Sequence, residues 1–285
     1  MSARVPVKRT AKLFIGGAFP RSESGRSYEV FAHDGRPLAY AAQASRKDLR
    51  EAVVAARRAF PAWSAMTAYN RGQILYRVAE LMEGRRSQFR DELADAGAVE
   101  PDRGVDAAID RWVWYAGWAD KIGQVLGGTN PVAGPYFNFT VPEPTGVVGV
   151  VPPGDQSLLG LVSRLAPAIV GGNTAVVLAS EASPLPAVSL AEVLATSDVP
   201  GGVVNLLTGR TSELVPWLAG HMDVNAIDVT GVPEDLRAEA ERAAAGNVKR
   251  VHRAPAADPF SEGAQGPYEI AALMEFKTVW HPMGA

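Results

Sequence analysis

Apolar positions change their period midway along the chain, and the change divides it into two halves. From Ser45 to about Ile122 they recur at helical spacing. Ser45 followed by Asp48 has the form of a capping box, and Leu49, Val53, Ala56 and Phe60 then share one face. Ile74, Leu75, Val78, Leu81 and Met82 predict a second helix, and Phe89 with Leu93 a third. A fourth runs from about Val105 to Ile122, with Ile109, Trp112, Val113 and Ala116 along one stripe. Its aromatic cluster of Trp112, Trp114, Tyr115 and Trp118 reads as packing rather than as a binding surface. The Gly- and Pro-rich stretch Gly127 to Pro135 breaks this helix, and Tyr136 to Val141 alternates as a strand does.

Beyond Pro144, short apolar runs alternate with helical segments. Gly146 to Val151 reads as a strand buried on both faces, followed by a helix over Leu158 to Val170. Strands are predicted at Thr174 to Leu178, Val203 to Leu207, Ala226 to Val229 and Val248 to Val251. Helices are predicted between them at Leu185 to Leu194, Ser212 to Ala219 and Glu234 to Ala245. This alternation predicts an α/β fold: a doubly wound parallel, Rossmann-like sheet behind an N-terminal helical portion. Right-handed crossovers place helices on both faces. Pro255 to Gly266 then reads as a linker, Ile270 to Met274 as weakly helical, and Glu275 to Trp280 as a strand. An exposed strand bearing Phe276 and Trp280 invites aggregation unless a partner subunit covers it.

Composition removes several function classes. A net charge of -3 offers no basic field to nucleic acid or to an acidic membrane. No apolar run approaches the ~20 residues of a membrane span. The chain has no cysteine, which removes disulfides, thiolate metal sites and thiol nucleophiles together. A cytoplasmic location agrees with that. Residues 1–12 carry Arg4, Lys8, Arg9 and Lys12 with no acid and no apolar segment, and read as a solvated basic tail. His33, His221, His252 and His281 share no motif and read as surface or packing residues. No Gly-x-Ser-x-Gly elbow is present, and no Gly-x-Gly-x-x-Gly fingerprint follows Val148.

Several stretches occur in a telling order: Leu13-Phe14-Ile15-Gly16-Gly17, Ala59-Phe60-Pro61-Ala62-Trp63, and Glu143-Pro144-Thr145-Gly146-Val147-Val148-Gly149. Leu165-Ala166-Pro167-Ala168 with Gly172-Asn173-Thr174 follows, then Pro200 to Asn205 with Thr208-Gly209, and finally Lys277-Thr278-Val279-Trp280. Jointly they resemble the NAD(P)-dependent aldehyde dehydrogenase superfamily. The resemblance implies a cofactor-binding-type domain over residues 13–126 and 144–253, with oligomerisation strands in 127–143 and 268–285. A linker, residues 254–267, stands where the family has its catalytic domain. That layout is similar to the second, non-catalytic module of two-module aldehyde dehydrogenases.

Carried over position by position, the resemblance implies lost chemistry. The family's nucleophilic cysteine is absent. In Pro153-Gly154-Asp155-Gln156-Ser157, Asp155 replaces the asparagine that would donate to an oxyanion, and a carboxylate repels one. His252-Arg253-Ala254-Pro255 lies where the general-base motif would be. In Leu178-Ala179-Ser180-Glu181 the ribose-site Glu181 is retained while the lysine has become Leu178. In Val229-Thr230-Gly231-Val232 the pyrophosphate-turn Gly231 is retained while the serine has become Val232. No catalytic residue, metal or cofactor is therefore expected, and NAD(P) would meet only the vestigial Glu181 and Gly231. Phe137, Phe139, Phe276, Thr278, Val279 and Trp280 are the expected oligomerisation residues. The expected role is a non-catalytic subunit that assembles with a full-length aldehyde dehydrogenase, or with itself, in a structural or regulatory capacity. Two other roles stay open: an NAD(P)-dependent aldehyde oxidoreductase whose site a partner completes, and a nucleotide-binding sensor module.

Overall fold

The structure, a computed structural model, describes residues 7–284. The chain opens with β1 (Thr10–Ala11), β2 (Ser27–Phe31) and β3 (Pro37–Ala42), joined in the order β1-β3-β2. The helical reading of the first half misses these strands. Their inward positions, Tyr28 and Val30 on β2 and Ala39 and Ala41 on β3, are buried, but alanine contributes little to an apolar pattern. The basic-tail reading is corrected here. Thr10 and Ala11 pair in parallel with Tyr40 and Ala41, and Lys8 forms an ion pair with Glu29 at 2.8 Å. Residues 1–6, Arg4 among them, lie outside the described residues.

Four helices follow: α1 (Arg46–Ala65), α2 (Ala68–Glu83), α3 (Arg86–Asp95) and α4 (Pro101–Ala116), with the short α5 (Ile122–Val125) after a turn. The capping box of α1 is present: the Ser45 hydroxyl accepts from the Asp48 N–H, and the Asp48 carboxylate accepts from the Ser45 N–H at 2.8 Å. On α4, Trp112 and Tyr115 are buried, whereas Val113, expected on the same stripe, is exposed. One residue of a helix turns about 100°, so Val113 cannot share the face that the two aromatics own.

The parallel sheet contains β6 (Val147–Val150), β7 (Thr174–Leu178), β8 (Val204–Leu207), β9 (Ala226–Asp228) and β10 (Arg250–His252), in the order β10-β9-β6-β7-β8. The crossovers are α6 (Leu159–Val170), α7 (Leu185–Leu194), α8 (Thr211–Gly220) and α9 (Glu234–Ala245). Helices α6 and α7 pack with α2, α3 and α4 into one core, and α1, α8 and α9 close a second on the other face. Full burial of β6, β7 and β8 explains why these strands read as continuous apolar runs. The last strand starts at Arg250 rather than Val248, because Val248 takes a positive φ of 55° in the preceding turn. The strand order reverses between β6 and β9, which opens a crevice beyond their C-terminal ends.

A strap then leads through α10 (Pro267–Ala271), which starts ahead of the predicted Ile270, into β11 (Met274–Pro282). This strand pairs antiparallel with β5 (Tyr136–Pro144) over nine positions, from Met274↔Pro144 to Pro282↔Tyr136. Both strands run longer than their apolar alternation suggests, because each supplies the other's ladder. The segment read only as a helix breaker adds a third strand, β4 (Gly128–Thr129), on the far side of β5.

Candidate functional site

The crevice gathers the residues expected at a cofactor site. Gly154, Asp155, Leu178, Glu181 and Gly231 line one cleft at the C-terminal edge of the sheet. Its Glu181 carboxylate is already engaged. Glu181 Oε1 accepts from Arg210 Nη1 at 2.6 Å, and Oε2 accepts from the N–H of Thr211, the first residue of α8, at 2.9 Å. Partial burial pushes the Glu181 carboxyl up, but the Arg210 and Thr211 bonds outweigh it and leave the group below the usual carboxylate range. Gly231 donates its N–H to Val151 O at 2.7 Å. A Cβ at Gly231 would lie 2.0 Å from Pro152 O, so this glycine serves a close backbone approach. Val232 and Leu178 are buried in the core.

Helix α9 starts beside this turn, where a pyrophosphate would look for helix N–H groups. The residue before it is Pro233, which has no N–H, and the first turn carries Glu234 and Asp235. Carboxylates suit the positive end of a helix dipole and take the place of an anionic ligand. A ligand in this cleft would meet the Glu181 carboxylate already paired with Arg210.

A second cleft of about 480 Å³ lies beneath the strap, with Asp155, Arg164, Thr230 and Glu269 on its walls. Behind it sits a buried ionic cluster that links α6, β9, β10 and α10. Arg164 Nη1 donates to Glu269 and lies 3.7 Å from Asp228 Oδ2. His252 Nε2 is 3.0 Å from the same Glu269 oxygen. Burial alone would raise the Glu269 carboxyl, but the His252 hydrogen bond and the Arg164 charge overturn this and hold it down at about 2. Burial prevails at Asp228 and raises its carboxyl. Arg111 fastens the strap from below: Nη1 donates to Ser163 Oγ at 2.7 Å and Ala264 O at 2.9 Å, and Nη2 to Pro259 O at 2.9 Å.

Sequence reasoning missed this cluster. It read His252 as a surface or packing residue, whereas the ring is largely buried and bonded to Glu269. Arg164 was the available signal. A lone charge in a helix buried at every position needs a buried partner. Asp155 lies beside both clefts. Among the described residues, no group of three or more His, Asp or Glu side chains is placed to hold a metal ion.

The ribbon carries all six residues expected for oligomerisation, divided between its faces. Phe137, Phe139 and Val279 lie on one face, where the two phenyl rings stack tilted at 5.4 Å. Phe276, Thr278 and Trp280 lie on the other, where Trp280 meets Tyr136 edge-on at 5.7 Å. Phe139 is half-buried and the other five are exposed.

The five-stranded parallel sheet, with helices on both faces and a switch-point crevice, defines a Rossmann-like α/β protein. The chain belongs to the aldehyde dehydrogenase family, which matches residues 19–254. It is 35% identical over 248 residues to aldehyde dehydrogenase, cytosolic 1 of Elephantulus edwardii, covering 84% of this chain and 49% of that one. It is 36% identical over 259 residues to cytosolic 10-formyltetrahydrofolate dehydrogenase of Pongo abelii, covering 86% and 28%. Among solved structures it resembles HpcC from Thermus thermophilus, with a TM-score of 0.81 and 34% identity over 85% of this chain and 47% of that one. The NAD+ complex of aldehyde dehydrogenase from Bacillus cereus gives a TM-score of 0.78 at 28% identity, over 85% and 50%. The chain therefore spans about half the length of such relatives, or less, and the family match ends where the strap begins.

Proposed function

We propose that this chain is a non-catalytic aldehyde-dehydrogenase-like subunit that assembles with a full-length aldehyde dehydrogenase through the ribbon of β5 and β11. The observation that carries the reading is aromatic exposure on both ribbon faces: Phe137 is 46%, Phe276 43% and Trp280 58% exposed. Large aromatic side chains clustered on a projecting sheet are costly in water and suit a protein interface. The crevice supports the same reading from the side of chemistry. Aldehyde oxidation through a thiohemiacetal needs a thiolate, and the chain contains no cysteine. Asp155 opposes an oxyanion, and the Glu181 carboxylate in the cleft is already paired with Arg210. The proposed subunit therefore uses no cofactor of its own and acts on the stability, assembly or regulation of its partner. The proposed compartment is the cytoplasm, which the names of the cytosolic relatives support. Among the described residues, no helix is long and apolar enough to cross a membrane.

The test is affinity purification of the tagged chain from its own cells, followed by native mass spectrometry. A complex whose mass includes a full-length aldehyde dehydrogenase is expected. Recovery of the chain alone, or only with copies of itself, overturns the proposal.

A further inference from the structure

A groove of about 770 Å³ runs between the start of α1 and the end of α8, and none of its residues belongs to the ribbon or to either cleft of the crevice. Leu49 forms part of its wall from inside the core, while Trp217 and Met222 stand open to water, 45% and 70% exposed. Arg46, Lys47 and Arg50 supply its positive charge. Lys47 is paired with Glu23 at 3.5 Å, whereas Arg46 and Arg50 have no carboxylate within ion-pair distance among the described residues. The Arg46 guanidinium instead lies 3.7 Å over the Trp217 ring and holds the indole in place. These cations do nothing for their own helix. They occupy the first two turns of α1, the positive end of its dipole, where a cation is unfavourable. The N–H groups there are served by the Ser45 hydroxyl, which accepts from Lys47 and Asp48. Basic side chains held against the dipole, beside two exposed apolar ones, answer to something outside the chain.

We propose that this groove docks a short acidic segment of a partner protein. A large apolar side chain of that segment sits against Leu49, Trp217 and Met222, and carboxylates on either side of it meet Arg46 and Arg50. The two arginines are one turn apart on α1 and so are neighbours on its surface, with about 5–6 Å between Cβ atoms. That spacing lets two carboxylates of one peptide engage both. Each guanidinium offers paired donors that match a carboxylate in its plane. Because Arg46 is already stacked on Trp217, part of the site is ordered before the segment arrives, which lowers the entropy lost on binding. Charge selects among partners. A basic segment is repelled by the rim, and a phosphate polymer meets Glu23 inside the groove and a chain of net charge -3 around it. A short acidic segment needs only the local rim, and the rim rejects its neutral and basic competitors.

The test titrates the purified chain with the peptide acetyl-Glu-Asp-Phe-Leu-Asp-Glu-amide by isothermal titration calorimetry. Saturable binding of one peptide per chain is expected. The double variant Arg46→Glu with Arg50→Glu is expected to weaken it at least about tenfold. Both side chains are exposed, and acids suit that end of α1, so the variant is expected to melt no lower than wild type and a loss of binding is not a loss of fold. A peptide with Gln and Asn in place of its acids, and one with Ala in place of Phe and Leu, are each expected to bind at least about tenfold more weakly, the first testing the rim and the second the apolar wall. Absence of saturable heat at millimolar peptide overturns the proposal. So does equal binding by the double variant or by either control peptide. Displacement of the peptide by a single-stranded oligothymidylate also overturns it, since the groove would then be a polyanion surface.

Discussion

At the scale of single residues, charge burial and close backbone approach govern the crevice. Glu269 is the sensitive partner of Arg164, and both side chains are largely buried. Removing one member of a buried pair leaves the other uncompensated, so Glu269→Gln is expected to cost about 3–5 kcal/mol at neutral pH. The sign of the pH effect follows from a folded-state carboxyl held at about 2 against an ordinary 4.5. Its contribution is complete above the unfolded value and is lost as pH falls through the interval toward 2. The stability gap between wild type and E269Q is therefore expected to narrow from pH 7 to pH 3. Urea midpoints at the two pH values measure this, and a constant gap would contradict it. Asp228 has the opposite sign, since burial raises its carboxyl and acid favours the folded form there. Gly231→Ala is expected to destabilise by about 2 kcal/mol or more, because Cβ meets the rigid Pro152 backbone; thermal unfolding reads the loss. The site was legible in part from these residues. Leu178, Glu181, Asp155 and Gly231, singled out by the resemblance, line one cleft. The engagement of Glu181 by Arg210 was not legible, because nothing in the order of residues announces a contact across 29 positions.

At the scale of elements, local signals are honoured where they need no distant partner. The capping box at Ser45 was readable from two residues, and Ser45→Ala is expected to cost about 1 kcal/mol by urea denaturation. The buried strands and their crossover helices were equally plain, since full burial writes an unbroken apolar run. The β2–β3 hairpin and the short β4 were not. Their strands are short, partly exposed or rich in alanine and glycine, and exist because a neighbouring strand completes the ladder. The strap poses an element-scale question that Arg111 answers. Its guanidinium supplies donors to Pro259 O and Ala264 O, and Arg103 stacks over the Phe260 ring at 4.2 Å. Arg111→Met keeps the apolar stem and removes those donors. It is expected to make residues 255–266 at least several-fold more susceptible to limited proteolysis while the body of the protein resists. Unchanged cleavage would show that the strap is held otherwise.

At the scale of the whole molecule, the fold is that of the family. The parallel sheet and its helical layers match the aldehyde dehydrogenase family, and the strap follows where the family match ends. Two hydrophobic cores, one on each face, hold the sheet. Anything that binds the folded state alone raises its melting temperature by mass action. NAD+ or NADP+ at millimolar concentration is expected to leave the melting temperature unchanged in differential scanning fluorimetry. A saturable rise would revive the nucleotide-sensor role.

The sequence by itself determined the sheet, the order of its crossovers and the absence of a thiol nucleophile. Each is written in local periodicity or in composition, and needs no knowledge of what lies nearby. Only the tertiary structure decided that Arg164, Asp228, His252 and Glu269 form one buried cluster, and that Arg111 ties down the strap. It also decided that β11 pairs with β5 along its whole length and, among the described residues, ends that sheet. Those outcomes depend on pairings between segments tens to more than a hundred residues apart. The phase of a hydrogen-bonded ladder and the partner of a buried charge come into being only when such segments meet.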